Sequence, residues 1–146
     1  NNSYMYKELI KHSDIDVNII FNIEVDNIDS TILHYISNDI ETYGGYFYNL
    51  LFENVTNDKI KIINTKNKNG DTPLHLTIKN LVNYDDIDIK YYTNFISKLL
   101  DHPKIDVTIK DDFNDKTALE LLDDYKGNSE QIIAEIKDKI IAKSQT

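Results

Sequence analysis

Two histidines stand in matching strings: His34 in Thr31-Ile32-Leu33-His34-Tyr35 and His75 in Thr72-Pro73-Leu74-His75-Leu76. Imidazole is the commonest metal ligand and the usual acid–base group near neutral pH, so a recurring pair invites a metal or catalytic reading. His12 and His102 recur in register as well. Neither pair has the company such chemistry needs. The chain has no cysteine and no two histidines four positions apart, the spacings that mark zinc sites. A structural role is the expectation for all four.

The carboxylates raise a calcium reading. Thr65-Lys66-Asn67-Lys68-Asn69-Gly70 matches a calcium-binding loop at its third, fifth and sixth positions, but fails at the first, Thr65, and at the twelfth, Leu76. Asp111-Asp112-Phe113-Asn114-Asp115 has no glycine in place and no closing glutamate, and Asp85-Asp86-Ile87-Asp88 is short and irregular. All three read as solvated turns. Gly-x-Ser-x-Gly is absent, and with four glycines in all there is no phosphate-cradling loop. The expectation is a protein without catalytic residues, metal or cofactor.

The composition narrows the partners. Twenty-five carboxylates face sixteen lysines and no arginine, a net charge of -9. Phosphate backbones need neutralising cations, so broad nucleic-acid binding is not expected, nor is attraction to an anionic membrane surface. No run approaches the ~18 apolar residues of a spanning helix, so no membrane insertion is expected. At 146 residues, 40% apolar and 28% charged, the chain suits one thin-cored domain, monomeric in isolation. Freedom from cysteine suits a reducing compartment, so an intracellular, cytoplasmic location is expected. Abundant Asn, Ile, Lys and Tyr point to an AT-rich genome, which leaves a host cytoplasm open if the source is a virus or intracellular pathogen. The start, Asn1-Asn2-Ser3-Tyr4, has neither initiator Met nor signal pattern, as expected for part of a longer protein.

Positioning elements emerge from an internal repeat. Leu9-Ile10-Lys11-His12 followed by Ile15-Asp16-Val17 returns 90 residues on as Leu99-Leu100-Asp101-His102 and Ile105-Asp106-Val107, with a midway copy at Leu50-Leu51 and Ile62-Ile63. Alternating with these are the strings that begin at Thr31, Thr72 and Thr117, spaced 41 and 45 apart. Thr-Pro before an apolar run reads as a helix start, and Leu74, Ile78 and Leu81 follow at helical spacing. Phe95, Ile96, Leu99 and Leu100 make one face of a second helix that His102-Pro103 ends. Asn67 to Asp71, with Gly70, is a turn signal. Each unit thus reads as helix, connection, helix and projecting hairpin-like turn, an all-α solenoid of roughly three and a half to four helix pairs.

This pattern resembles the ankyrin repeat over nearly the whole chain, carried by Gly70-Asp71-Thr72-Pro73-Leu74-His75, the paired Leu99-Leu100, and Ile105-Asp106-Val107-Thr108 before an acidic turn. The resemblance implies that His34 and His75 hydrogen-bond neighbouring turn backbone. Units of that family run about 33 residues, and the excess here is expected between paired helices, at Thr42–Tyr48 and Tyr84–Tyr91. The units read as 1–22 (partial first repeat), 23–64, 65–108 (the clearest) and 109–146 (a C-terminal cap). In the cap Thr117–Tyr125 is the first helix and Ser129 the N-cap of the second. Tyrosines flank both insertions and are expected to pack the longer helices on their neighbours, with an interface role as the alternative.

In folds of this kind a partner meets the hairpin tips and the exposed side of the first helices. Carried over by position, the partner-binding residues are Lys66, Lys68, Asn69, Asp71, Lys79 and Asn80 in the clearest repeat and Lys110, Phe113 and Asn114, with Lys116, in the last. The preceding repeat offers Asn27, Ile28, Ser30, Asn38 and Asp39. Phe113 is either an interface anchor or folds back on the neighbouring hairpin. The expected function is a protein–protein interaction module, with a spacer positioning another domain as the alternative.

Overall fold

The computed structural model describes residues 8, 11, 16, 18, 21–23, 28–43, 45–83 and 89–146. The described chain is mostly helical. Glu8 and Lys11 are helical; later in the chain lie two short strands, β1 (Phe21–Ile23) and β2 (Ile28–Ser30), antiparallel with Phe21 opposite Ser30 and Ile23 opposite Ile28. Six helices follow: α1 (Ile32–Tyr43), α2 (Tyr46–Asn54), α3 (Pro73–Asn83), α4 (Ile89–Leu100), the single-turn α5 (Ala118–Leu121) and α6 (Glu130–Ser144). Single 3₁₀ turns cover Asn57–Lys59 and Leu122–Asp124.

Three of the helices start in one way. Thr31, Thr72 and Thr117 each accept a bond on Oγ1 from the amide three residues on, at 3.4, 3.3 and 3.3 Å. That satisfies one of the first-turn amides that no helical carbonyl can reach. Pro73 occupies the first helical position, where a missing N–H costs nothing. The last copy adds a reciprocal bond, because the Glu120 carboxylate accepts from the Thr117 amide at 2.7 Å.

The helices pack in two rows. α3 lies against α1 and α5, each of which belongs to the first row. In the second row α4 lies against α6 and meets α2 through rings, with Tyr48 stacked on Phe95 at 5.4 Å between centroids and Phe52 tilted at 6.5 Å. The pairs α1–α2 and α3–α4 close the layers. Leu33, Ile78, Phe95, Ile96 and Leu99 are fully buried between them, each such side chain stabilising the fold by about 1.5–3 kcal/mol. No helix among the described residues is long and apolar enough to cross a membrane.

The first expected insertion, 42–48, is mostly helix. Thr42 and Tyr43 complete α1, Gly45 makes a turn, and Tyr46–Tyr48 open α2. Gly45 takes φ +80°, and a β-carbon there would collide with the Tyr48 ring. The turn is therefore abrupt, and the flanking aromatic residues are drawn into helix, where Phe47 and Tyr48 are buried. Ile89–Tyr91, expected in the second insertion, are the first turn of α4, while 84–88 lie outside the described residues. Of the tyrosines, Tyr48 and Tyr92 are buried and Tyr46 is 43% exposed. Ser129 precedes α6 as expected, but its φ and ψ of −101° and 42° leave its hydroxyl without a cap bond.

Candidate interaction surface

Two loops project from the helix rows and are built on one plan. In the first, Asn67 is buried; its amide donates to the Asp71 carbonyl at 2.8 Å, and its Oδ1 accepts from the amides of Asn69 and Asp71, both at 3.0 Å. In the second, Asp111 is buried; its amide donates to the Lys116 carbonyl at 2.9 Å, and its carboxylate accepts from the Lys116 and Asn114 amides at 2.9 and 3.1 Å. The second loop is one residue longer, and Asp115, at φ 53°, takes up the difference. Side-chain acceptors here replace backbone ones, which fixes the turn without a strand ladder.

The two tips are also fixed to each other. Lys66 Nζ meets Asp112 Oδ1 at 2.5 Å, and the Asp112 amide donates to the Gly70 carbonyl at 3.3 Å. Gly70 stands at φ +80° with the Asp112 side chain where its β-carbon would be, so only glycine fits. From α3, Lys79 Nζ bridges both tips, reaching Asp71 Oδ1 at 2.5 Å and Asp111 Oδ2 at 2.8 Å. Burial pushes the Asp111 carboxyl up, but the Lys79 ammonium and the Lys116 and Asn114 amides outweigh it and hold the group well below the usual carboxylate range. Burial likewise pulls the Lys79 ammonium down, and its two carboxylate partners more than reverse that.

The histidines act as staples. His34 Nε2 lies 2.7 Å from the Asp71 carbonyl, and its Nδ1 lies 2.8 Å from Thr31 Oγ1 and 3.2 Å from the Thr31 amide. His75 repeats this, with Nε2 at 3.2 Å from the Lys116 carbonyl and Nδ1 at 2.7 Å from Thr72 Oγ1. A carbonyl cannot donate, so Nε2 carries the proton and Nδ1 accepts. Burial is the main reason both imidazoles sit below their ordinary pKa. His102 joins the Ile60 carbonyl at 2.7 Å and accepts from the Lys104 amide at 3.1 Å. Both nitrogens of each ring are thus engaged, which leaves no lone pair for a metal. Among the described residues no group of three or more His, Asp or Glu is placed to hold one. His12 lies outside the described residues.

The surface divides the residues singled out by position. Lys66, Lys68, Asn69, Lys110, Phe113 and Asn114 are exposed at the tips, and Phe113 is 87% exposed. It does not fold back on the neighbouring hairpin. Asp71 is a correction: it is buried and turned to Lys79, so it supports the tip and presents nothing outward. Lys79 and Asn80 are half-buried and engaged inward, Asn80 Nδ2 donating to the Ser37 carbonyl at 3.1 Å. Ser30 is buried, Asn38 is exposed, and Lys116 is half-buried. Asn27 and the side chains of Ile28 and Asp39 lie outside the described residues.

Two asparagines escaped the sequence reading. Asn18 Nδ2 donates to the Lys59 carbonyl at 2.9 Å while its Oδ1 accepts from the Lys61 amide at 2.7 Å. Asn64 does the same with the Lys104 carbonyl at 2.8 Å and the Asp106 amide at 2.9 Å. Their separation of 46 residues is close to the 45 between Thr72 and Thr117, which was the signal available. A groove open to solvent is lined by Phe52, Val55, Thr56, Asn57, Lys98 and Asp101. No family model, curated protein or solved structure matches this chain.

Proposed function

We propose that the chain is a non-catalytic protein-binding module, an ankyrin-like stack of helix pairs that meets its partner through the loop tips. The observation that carries this reading is Phe113, an aromatic ring 87% exposed on a loop whose base is held by the buried Asp111. Binding to a pre-shaped loop loses little conformational entropy, and aromatic residues supply much of the energy of protein interfaces. Lys68 and Asn69 on the first tip and Lys110 and Asn114 on the second are exposed polar groups suited to an interface rim. The recurrence of Thr-x-x-His caps, histidine staples and asparagine staples at about one unit's spacing supports the ankyrin-like reading.

The test is capture of partners from native lysate on immobilised wild-type protein, Phe113→Ala and Lys68→Glu. Both variants should lose specific partners, and Phe113→Ala should do so while Tm stays put, because substitution of an exposed side chain moves stability by only about 0.5 kcal/mol. Capture unchanged by Phe113→Ala, or a matching fall in Tm, would overturn the assignment of the tip.

A further inference from the structure

Of the seventeen asparagines in the chain, Asn69 alone precedes a glycine. Before glycine, the following amide nitrogen meets no β-carbon on its way to the asparagine side-chain carbonyl. Attack of the Gly70 nitrogen on Asn69 Cγ forms a five-membered succinimide. The new N–Cγ bond replaces Cγ–Nδ2, and the Gly70 amide proton leaves with the side-chain NH₂ as ammonia. A solvent water then opens the ring at one carbonyl or the other, giving aspartate or isoaspartate. Either product adds a negative charge, and isoaspartate adds one carbon to the backbone.

The fold restrains the first step and leaves the second open. The Gly70 amide donates to the Asn67 carbonyl at 2.9 Å, and the Asn69 amide donates to Asn67 Oδ1 at 3.0 Å. Gly70 is buried at φ +80° beneath the Asp112 side chain, so its nitrogen cannot pivot onto Cγ while the turn is closed. Asn69 itself is exposed, and water has access. We propose that Asn69 is a deamidation site gated by the Asn67 turn: held closed in the folded tip and reactive when the tip opens locally. An isoaspartate at 69 would lengthen the chain between Asn67 and Asp71, whose 2.8 Å closure places the carbonyl that His34 reaches at 2.7 Å. The modification therefore loosens the first tip from α1 and places charge on the exposed surface.

The experiment incubates the full chain at mildly alkaline pH, folded and in denaturing urea, and follows each asparagine by peptide mass spectrometry with isoaspartate resolved by retention. In urea Asn69 should react faster than every other asparagine. In the folded protein it should react at least about tenfold more slowly, as expected for reaction through a minor open state. Folded Asn67→Ala should recover much of the urea rate. Equal rates at Asn69 folded and unfolded, a faster asparagine in urea, or a folded Asn67→Ala no faster than wild type would each overturn the proposal. If Asn67→Ala does not fold, the wild-type comparison of folded with unfolded rates decides alone.

Discussion

Acidification should pull the staples. His34 and His75 are buried, and their Nδ1 atoms accept from threonine hydroxyls, with the Thr31 backbone amide also aimed at His34. A backbone amide cannot turn round, so a proton on His34 Nδ1 would face another donor. Burial lowers both pKa values from the ordinary 6.5. The unfolded chain therefore binds protons that the folded one refuses. Stability is intact above about pH 6.5 and is lost as pH falls from there toward the folded values. Over that window the slope is at most about 1.4 kcal/mol per pH unit for each histidine and about 2.7 kcal/mol per pH unit for the two together. Asp111 does not confuse the reading, because its carboxyl titrates at far more acid pH. Urea titrations followed by far-UV circular dichroism between about pH 7.5 and 5.5 measure the slope. The His34→Gln, His75→Gln double variant keeps a donor for each carbonyl and removes the titration, so its slope should largely vanish. A flat wild-type profile, or an equal slope in the double variant, refutes the reasoning.

Lys79→Met should cost about 3–5 kcal/mol in urea denaturation, because it strands the buried carboxylates of Asp71 and Asp111 without their cation; a loss below about 1 kcal/mol would mean that solvent already screens the pair. Asn64→Ala should cost about 1–2 kcal/mol by freeing the Lys104 carbonyl and the Asp106 amide, and an unchanged thermal midpoint would remove Asn64 from the staples.

What was legible in the chain was local. Thr72-Pro73-Leu74-His75 specifies a cap, a first turn and an apolar face within a few residues, and α3 begins at Pro73. Phe95, Ile96, Leu99 and Leu100 share a helical face and are all buried. The tip latches were not legible. Asn67 and Asp111 are ordinary turn residues by type, and the burial of Asp111 depends on Lys79, which reaches it from α3 across 32 positions. The expected loop at 42–48 is mostly helix because the turn at Gly45 lets both flanks continue as helix. For Phe113 the residue type left two readings open; its 87% exposure removes the one in which it folds back on the neighbouring hairpin, and the anchor role belongs to the proposed function.

The staples have a mechanical consequence. His75 reaches the carbonyl of Lys116, 41 residues ahead, and Asn18 and Asn64 reach similarly forward. In the proposed stack each of these staples joins one helix pair to the next, and among the described residues none skips a pair. Tension along such a stack would load the links of one junction together, because the bonds from His34 to the Asp71 carbonyl and from Asn64 to the Lys104 carbonyl share a junction with the packed helices α1 and α3. Such a junction resists as a set, so it would give way all at once and not staple by staple.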